Sequence, residues 1–478
     1  MIEKDSEKKI FQITKKDIFF LFIAFLFLII FLFSAELNIT PSGLEPVGLK
    51  MIGILILAAI LWITEPIPLP VTGLFIIVLQ PIMYIMKPAE VFSSFGNQAV
   101  FFLIGAFIIA AAIEKHNLHK RIALLFLSRF DQNPKLFTLG IMFTCAFLSF
   151  IMPEHGVAAL FLPIVISVLV VMKIIPKKSN FGKVSMLSIA YGCSIGSLGT
   201  LIGGARNPLA IAELAKQGYV VGFFDWMIYS VPIVLISLPL VWLILQFTFP
   251  IELDDITEAK KEIKSQVKET GNIKDKELLV LFVLISTIIG WIAFSNYLYV
   301  GLAVVAIIGA FSLFLLGCVT WKDVEKRVPW GIILLYGGAI TLGHGVLVTG
   351  AGEYIANQII SLSSFNLYLM ILLMILITII LTNLMSNIAA VAIILPIGIS
   401  ISNSIVGMSP LLATMLIALS GGLAFMFVIS TPGNAITYSS GYYSTKDLFK
   451  AGFLANILCI AVIFVVAIVY WIGILNMG

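Results

Sequence analysis

Charged residues make up only 11% of this 478-residue chain, too few to cover a globular surface of that size. A water-soluble fold is excluded on that ground. Cysteine is equally sparse. Cys145, Cys193, Cys318 and Cys459 stand in apolar surroundings with neither metal-ligand nor redox spacing, so they read as small core residues. A net charge of +4 spread over the chain gives no reason to expect a nucleic-acid partner. No Asp-rich metal-ligand set and no Ser/His/Asp set near an interface stands out, which argues against a membrane enzyme and gives no cofactor to expect.

What is present is apolar: 60% of residues are hydrophobic and the mean hydropathy is +1.11. That composition predicts an all-α polytopic membrane protein with the lipid bilayer as its solvent, multi-pass in the cell membrane. The first 17 residues, "MIEKDSEKKIFQITKKD", carry five lysines and precede an uninterrupted apolar run from Ile18 to Ser34 without a small-residue cleavage site. They are expected to be a cytoplasmic N-terminal tail, followed by a first span and external loop over 18–44. Further spans are predicted at 48–63 and 68–87, with Glu65-Pro66-Ile67-Pro68 as the turn between them. Two apolar segments, 92–114 and 327–350, are punctuated by glycine; each reads as a plain span or a re-entrant hairpin, and their matching places in the two halves favour the hairpin. Residues 251–277 are densely charged with helical Glu/Lys spacing and read as a solvated cytoplasmic linker. The basic loops 114–121 and 173–178 point to the same side.

One signal occurs twice. Pro153-Glu154-His155 stands ten residues before Pro163, and Ser386-Asn387-Ile388 stands ten residues before Pro396. "PEHGVAALFLPI" thus matches "SNIAAVAIILPI", and each is followed by a turn-rich stretch, "GTLIGGARNPLAI" and "ISTPGNAITYSSG". The chain is therefore read as two inverted repeats, 45–250 and 278–478, with broken helices and re-entrant hairpins and about eleven spans in all.

Ionisable residues inside this apolar context carry the functional signal. A charge at a helix centre costs at least ~2.5–3.5 kcal/mol in a bilayer, so Glu154, His155, Arg206 and His344 are read as functional with a partner nearby. The bland alternative is a structural pair or a position near the interface; for His344 a hydrogen bond to a neighbouring carbonyl is an equal reading. Breaks in paired helices expose N–H groups that favour an anion and carbonyls that favour a small cation. On that logic Glu154, His155, Arg206, Asn207, Ser386, Asn387, Gly433 and Asn434 are candidates for holding a small anionic solute. Ser149, Gly199, Thr382, Asn387, Ser430 and Thr431 are candidates for a coupling ion, Na⁺ or H⁺.

These motifs resemble the divalent anion/sodium symporter family, carriers of dicarboxylates, citrate or sulfate. The family places Ser-Asn-Thr ten residues before Leu-Pro-Ile in each half and a Thr-Pro-Pro-Asn-type turn after it. Also similar are "EKHNLHKRIA" (114–123) and, most specifically, "TPGNAITYSSGYYSTKDLFKAGFLAN" (431–456). The resemblance implies a homodimer, an elevator-like motion of a transport part against a scaffold part, and secondary active transport by alternating access. In the second half Ser386, Asn387, Thr431, Pro432 and Asn434 match, while Ile388 replaces a threonine and Gly433 a proline. In the first half Pro153, Glu154 and His155 replace Ser-Asn-Thr, and Gly204, Ala205 and Arg206 replace Thr-Pro-Pro before Asn207. Two consequences are open: Arg206 stands in for a first-half Na⁺, or Glu154 and His155 exchange protons. The departures also suit a zwitterion or monoanion in place of a symmetric dicarboxylate. A channel is disfavoured by the paired breaks; an ion antiporter or oxyanion exporter of related architecture is the rival.

Overall fold

A computed structural model describes residues 14–130, 133–294, 300–361 and 366–478. All regular structure among them is helical. The first half contains α1 (Lys15–Glu36), α2 (Pro46–Thr64), α3 (Leu69–Ile82), α4 (Pro88–Phe95), α5 (Gln98–Lys115), α6 (Leu118–Leu127), α7 (Pro134–Leu148), α8 (Glu154–Val171), α9 (Asn180–Gly196), α10 (Arg206–Lys216) and α11 (Phe223–Thr248). A linker helix, α12 (Thr257–Glu269), follows. The second half contains α13 (Asp275–Phe294), α14 (Gly301–Leu315), α15 (Trp321–Arg327), α16 (Trp330–Val348), α17 (Ala351–Ser361), α18 (Leu367–Leu384), α19 (Asn387–Ser402), α20 (Pro410–Ser420), α21 (Pro432–Tyr438) and α22 (Thr445–Val466). Nine helical stretches among the described residues are long and apolar enough to cross a membrane, with shorter apolar helices between them.

The glycine-punctuated segments are not hairpins. α16 runs unbroken through its glycines, and α5 is one helix preceded by the short α4. These glycines serve close packing. A Cβ on Gly338 would lie 2.4 Å from Gly73 Cα of α3, and one on Gly105 would lie 2.6 Å from the Ala306 backbone of α14. Small residues let helix backbones approach where burying apolar area against lipid gives no advantage. The helix–turn–helix units lie elsewhere. One is α7–α8, joined through 149–153; the other is α18–α19, joined by Met385 and Ser386.

Each turn follows from its residues. Pro153 has no N–H to continue a helix and takes φ −57°, ψ 137°, so α8 starts afresh at Glu154. Ser386 is the N-cap of α19, its hydroxyl accepting from the Ala389 N–H at 3.3 Å. Two further non-helical breaks lie at residues 197–205 between α9 and α10, and at 421–431 between α20 and α21, the latter holding only a single short 3₁₀ turn, Val428–Ser430.

Two groups of contacts organise the molecule. In one, α3 packs on α16, α5 on α14, and α1 on α2. In the other, α7 and α8 lie on α9, and α18 and α19 on α20. The halves then interlock, because α10 packs against α19 and α20 while α21 packs against α8 and α9. Each half thus offers its second broken helix to the other half's hairpin. The linker is not merely solvated: α12 buries Ala259 and Ile263, packs on α6 and α8, and donates from Gln266 to the Ser167 hydroxyl at 2.6 Å. Arg121 of α6 holds its far end, donating to Glu277 at 2.7 Å and to the carbonyls of Thr270, Gly271 and Asn272.

Candidate functional site

Both hairpin tips and both breaks meet at one cavity of about 320 Å³. Glu154, His155 and Gly203 to Arg206 line it from the first half, and Ser386, Asn387, Ile388, Ser430 and Pro432 from the second. Pro153, His155, Phe107 and Pro329 are shared with a larger, open vestibule of about 760 Å³. That vestibule reaches the face carrying Glu114, Lys120, Arg327 and the α12 residues Glu262 and Glu269. His155 therefore stands at the doorway between the two.

The breaks are held open by asparagine. Asn207 donates its amide to the carbonyls of Ser197 and Thr200 at 2.8 and 2.7 Å. Asn434 does the same for Ala424 and Phe427 at 2.9 and 3.0 Å. Unwound carbonyls in an apolar interior need such donors. Neither asparagine lines the cavity. Gly433 also stands back from it, its missing side chain facing Ala158 of α8. Gly199 gives its carbonyl to the Ser230 hydroxyl at 3.2 Å, and the Thr431 hydroxyl caps α21 by accepting from Asn434 N–H. Ser149 is buried at the end of α7 with its hydroxyl unpartnered among the described residues.

Arg206 is the central feature of the first half. The side chain is 1% exposed, donates from Nη2 to the Ser197 hydroxyl at 2.8 Å, and leaves Nε without a partner among the described residues. Its guanidinium also reaches the second break: a Cβ on Gly422 would come within 2.1 Å of Nη2. The charge thus lies between the two breaks, and Gly422 is small so that it fits. Glu154 of the first tip is buried, gives its backbone N–H to Gly203 O at 3.2 Å, and keeps Oε2 unpartnered. No direct ion pair joins Glu154 to Arg206 among the described residues, although each charge acts on the other.

The second half is chemically different. Thr382 Oγ1 lies 2.6 Å from Gly421 O and 2.8 Å from Asn387 Oδ1, and one hydroxyl hydrogen serves both contacts. Three oxygens converge there, a donor set that fits a small hard cation, and Ser420, the residue before Gly421, has a buried hydroxyl without a partner among the described residues. Asn387 lines the cavity, and its Nδ2 is buried without a hydrogen-bond partner among the described residues. Ser430 instead bonds to Asn383 O at 2.7 Å.

Several participants were not expected from sequence. Asn383, whose Oδ1 accepts the Met426 N–H at 2.8 Å, ties α18 to the second break. A polar residue four before Asn387 in an apolar run was the available signal. Ser197 and Thr200, which grip Arg206 and the first tip through Phe150 O at 2.8 Å, looked like ordinary small residues. His344 lies away from the cavity, its Nε2 3.2 Å from Glu90 Oε1.

Residues 15–477 match the family described as sodium:sulfate symporter transmembrane region. The sodium-dependent dicarboxylate transporter SdcS of Staphylococcus aureus, strain USA300, is 31% identical over 459 residues, covering 90% of this chain and 87% of that protein. The protein of the same name from strain MRSA252 is equally similar. A solved structure of Neisseria gonorrhoeae MtrF, described as illuminating a class of antimetabolite efflux pumps, shares the fold with a TM-score of 0.54 at 14% identity, over 79% of this chain and 83% of that one. The chain is accordingly a multi-span secondary transporter of anions, not an enzyme, and it belongs to the divalent anion/sodium symporter family.

Proposed function

We propose that this carrier moves a small dicarboxylate across the cell membrane with Na⁺ bound only in the second half, Arg206 serving as a fixed cation in the first. The observation that carries the reading is the guanidinium held between the two breaks on Ser197 and Gly422. A positive charge there repels a mobile cation at the same place and attracts a carboxylate from the cavity. Asn387 Nδ2 and the Ser386 hydroxyl are suited to the other end of the anion, and Thr382, Asn387, Gly421 and Ser420 to the sodium beside it. The naming of the Staphylococcus aureus relatives as sodium-dependent dicarboxylate transporters supports both substrate class and ion. The two halves act as inverted repeats, the hairpins and broken helices moving together against the group formed by α3, α5, α14 and α16, in a homodimer.

The test is uptake of labelled succinate and sulfate into proteoliposomes under a Na⁺ gradient, an H⁺ gradient, or internal unlabelled anion alone. Succinate uptake driven by Na⁺, saturating without cooperativity in Na⁺ and lost in Arg206→Ala, is expected. Uptake indifferent to Na⁺, or an Arg206→Ala protein that transports normally, would overturn it.

A further inference from the structure

A second buried ionic group lies outside the substrate cavity, two turns along α10 from Arg206. Glu213 is 2% exposed, with Oε1 bonded to Lys216 Nζ at 2.7 Å and Oε2 unpartnered among the described residues. The pair does not belong to α10 alone. Lys216 Nζ also donates to Ile340 O of α16 at 3.0 Å, and the Glu213 carboxyl sits in a niche on α16 where a Cβ on Gly343 would come within 2.8 Å of it. The next residue of α16 is His344, within electrostatic reach of Glu213 and partly exposed, and its ring contacts the exposed Glu90 of α4. A carboxylate in an apolar interior, a lysine bridging to the neighbouring helix, an imidazole and a surface acid therefore form a line from the interior to solvent.

We infer that Glu213 is a proton-binding site that gates movement of α10 against α16, with His344 and Glu90 as its link to water. α10 carries Arg206 and packs on α19 and α20, while α16 is most heavily packed on α3 and also meets both α19 and α10, so under the movement proposed above the seam to be crossed runs along α16. The sliding of α10 must break the Lys216–Ile340 contact and draw the Glu213 carboxyl out of the Gly343 niche. With Glu213 ionised, the ion pair with Lys216 holds the carboxylate in its niche; once Glu213 is protonated that attraction is lost, the neutral acid can leave the niche, and Lys216, whose side chain is 19% exposed, takes its charge to solvent. In the step proposed, a proton from solvent passes by way of His344 and water to Glu213 Oε2. Lys216 keeps its own proton, so the pair goes from net zero to a single positive charge. The proton is released on the return. The charged groups that act on Glu213 are Lys216 on its own helix and His344 on α16; Arg206 lies two turns back along α10, Tyr336 of α16 lies against Leu209 of α10, and Glu90 of α4 lies beyond His344. Gln80 of α3 is neutral, α19 and α20 contain no ionisable side chain, and the charges of α5 lie at its far end.

This inference adds a proton to the cycle proposed above, and its test does not depend on the substrate being right. The full-length protein in nanodiscs is followed by infrared spectroscopy of the protonated-carboxyl C=O stretch as pH is varied, in wild type, Glu213→Gln, Glu154→Gln, His344→Gln and Gly343→Ala. A band is expected that titrates in wild type, is lost in Glu213→Gln and persists in Glu154→Gln. Gly343→Ala, which keeps the carboxyl and crowds its niche, is expected to shift the midpoint, and His344→Gln to slow the appearance of the band after a pH jump. A spectrum unchanged by Glu213→Gln, or a titrating band that vanishes only in Glu154→Gln, overturns the inference. Should Glu213→Gln fail to fold, an unmoved midpoint in Gly343→Ala overturns it equally. Absence of succinate uptake in wild type would count against the proposed substrate and leave the titration to decide this site.

Discussion

At the scale of single residues, the molecule separates polar groups that hold the backbone from polar groups that face a solute. Asn207 and Asn434 give their amides to break carbonyls, while Asn387 Nδ2 has no partner among the described residues. An asparagine can therefore be structural in one motif and unpaired in another, and residue type alone does not say which. His119 on α6, outside the membrane-spanning helices, gives a testable case of burial acting on one titratable group. It is 6% exposed, and burial, helped by Arg327 and Lys120, holds its imidazole down to about 4 against a hydrogen bond donated to the Ile113 carbonyl, which favours the charged form. Because the folded value lies below the ordinary ~6.5, protons bind the unfolded chain first, and stability falls as pH drops from about 6.5 toward 4. The loss is of order 3 kcal/mol once the group is protonated in the unfolded chain but not the folded one. Melting temperature in detergent, measured across that window, should decline less steeply in His119→Gln than in wild type; equal slopes would show that His119 contributes nothing to acid lability.

At the scale of elements, glycine decides packing more than it decides turns. On α16, Gly338 lies against Gly73, Gly337 against the Phe95 ring and Gly331 against Pro70, so one helix face is shaped for close approach. Gly338→Ala is expected to destabilise by about 1–3 kcal/mol, since its Cβ would meet backbone that cannot rotate away. Gly73→Ala, whose nearest neighbours lie at 3.2 Å, should cost less, and a thermal-melting series in which Gly73→Ala is the worse of the two would contradict this account. The same glycines explain a misreading of the sequence. Their spacing in 327–350 looks like a broken hairpin because composition does not distinguish a glycine that frees the backbone from one that admits a neighbour. The motifs around Pro153 and Ser386 were legible because proline and an N-cap serine act locally: each ends one helix and starts another with no help from distant residues. Arg206 was legible as buried, but its partners were not. Ser197 and Gly422 reach it only once α9, α10 and α20 have packed, and nothing in their own neighbourhoods announces that contact. Glu213 was missed for a related reason. α10 has a mean composition close to neutral, and its Glu-x-x-Lys spacing reads as an exposed helix face until α16 covers it.

At the scale of the whole molecule, the two cavities define a direction. The central cavity joins the vestibule past His155 and Pro153, and the vestibule opens on the face that carries the charged linker, so the state described here admits solute from that face. If that face is cytoplasmic, as the basic loops indicate, the conformation is inward-open, and alternating access requires the vestibule to close when the hairpins move. Ala159 is exposed on α8 and lines the vestibule. The four native cysteines are all buried, which leaves Ala159→Cys as the reactive thiol for a membrane-impermeant maleimide. Labelling is expected in inside-out vesicles and not in right-side-out vesicles, with a rate that falls when Na⁺ and succinate shift the population toward the outward-facing state. Because a ligand moves an equilibrium only through its differential affinity for the two states, an identical rate with and without Na⁺ and succinate would mean that they do not select between conformations. Labelling from the opposite side would reverse the orientation assigned to the chain, and with it the sense in which the vestibule is an entrance or an exit.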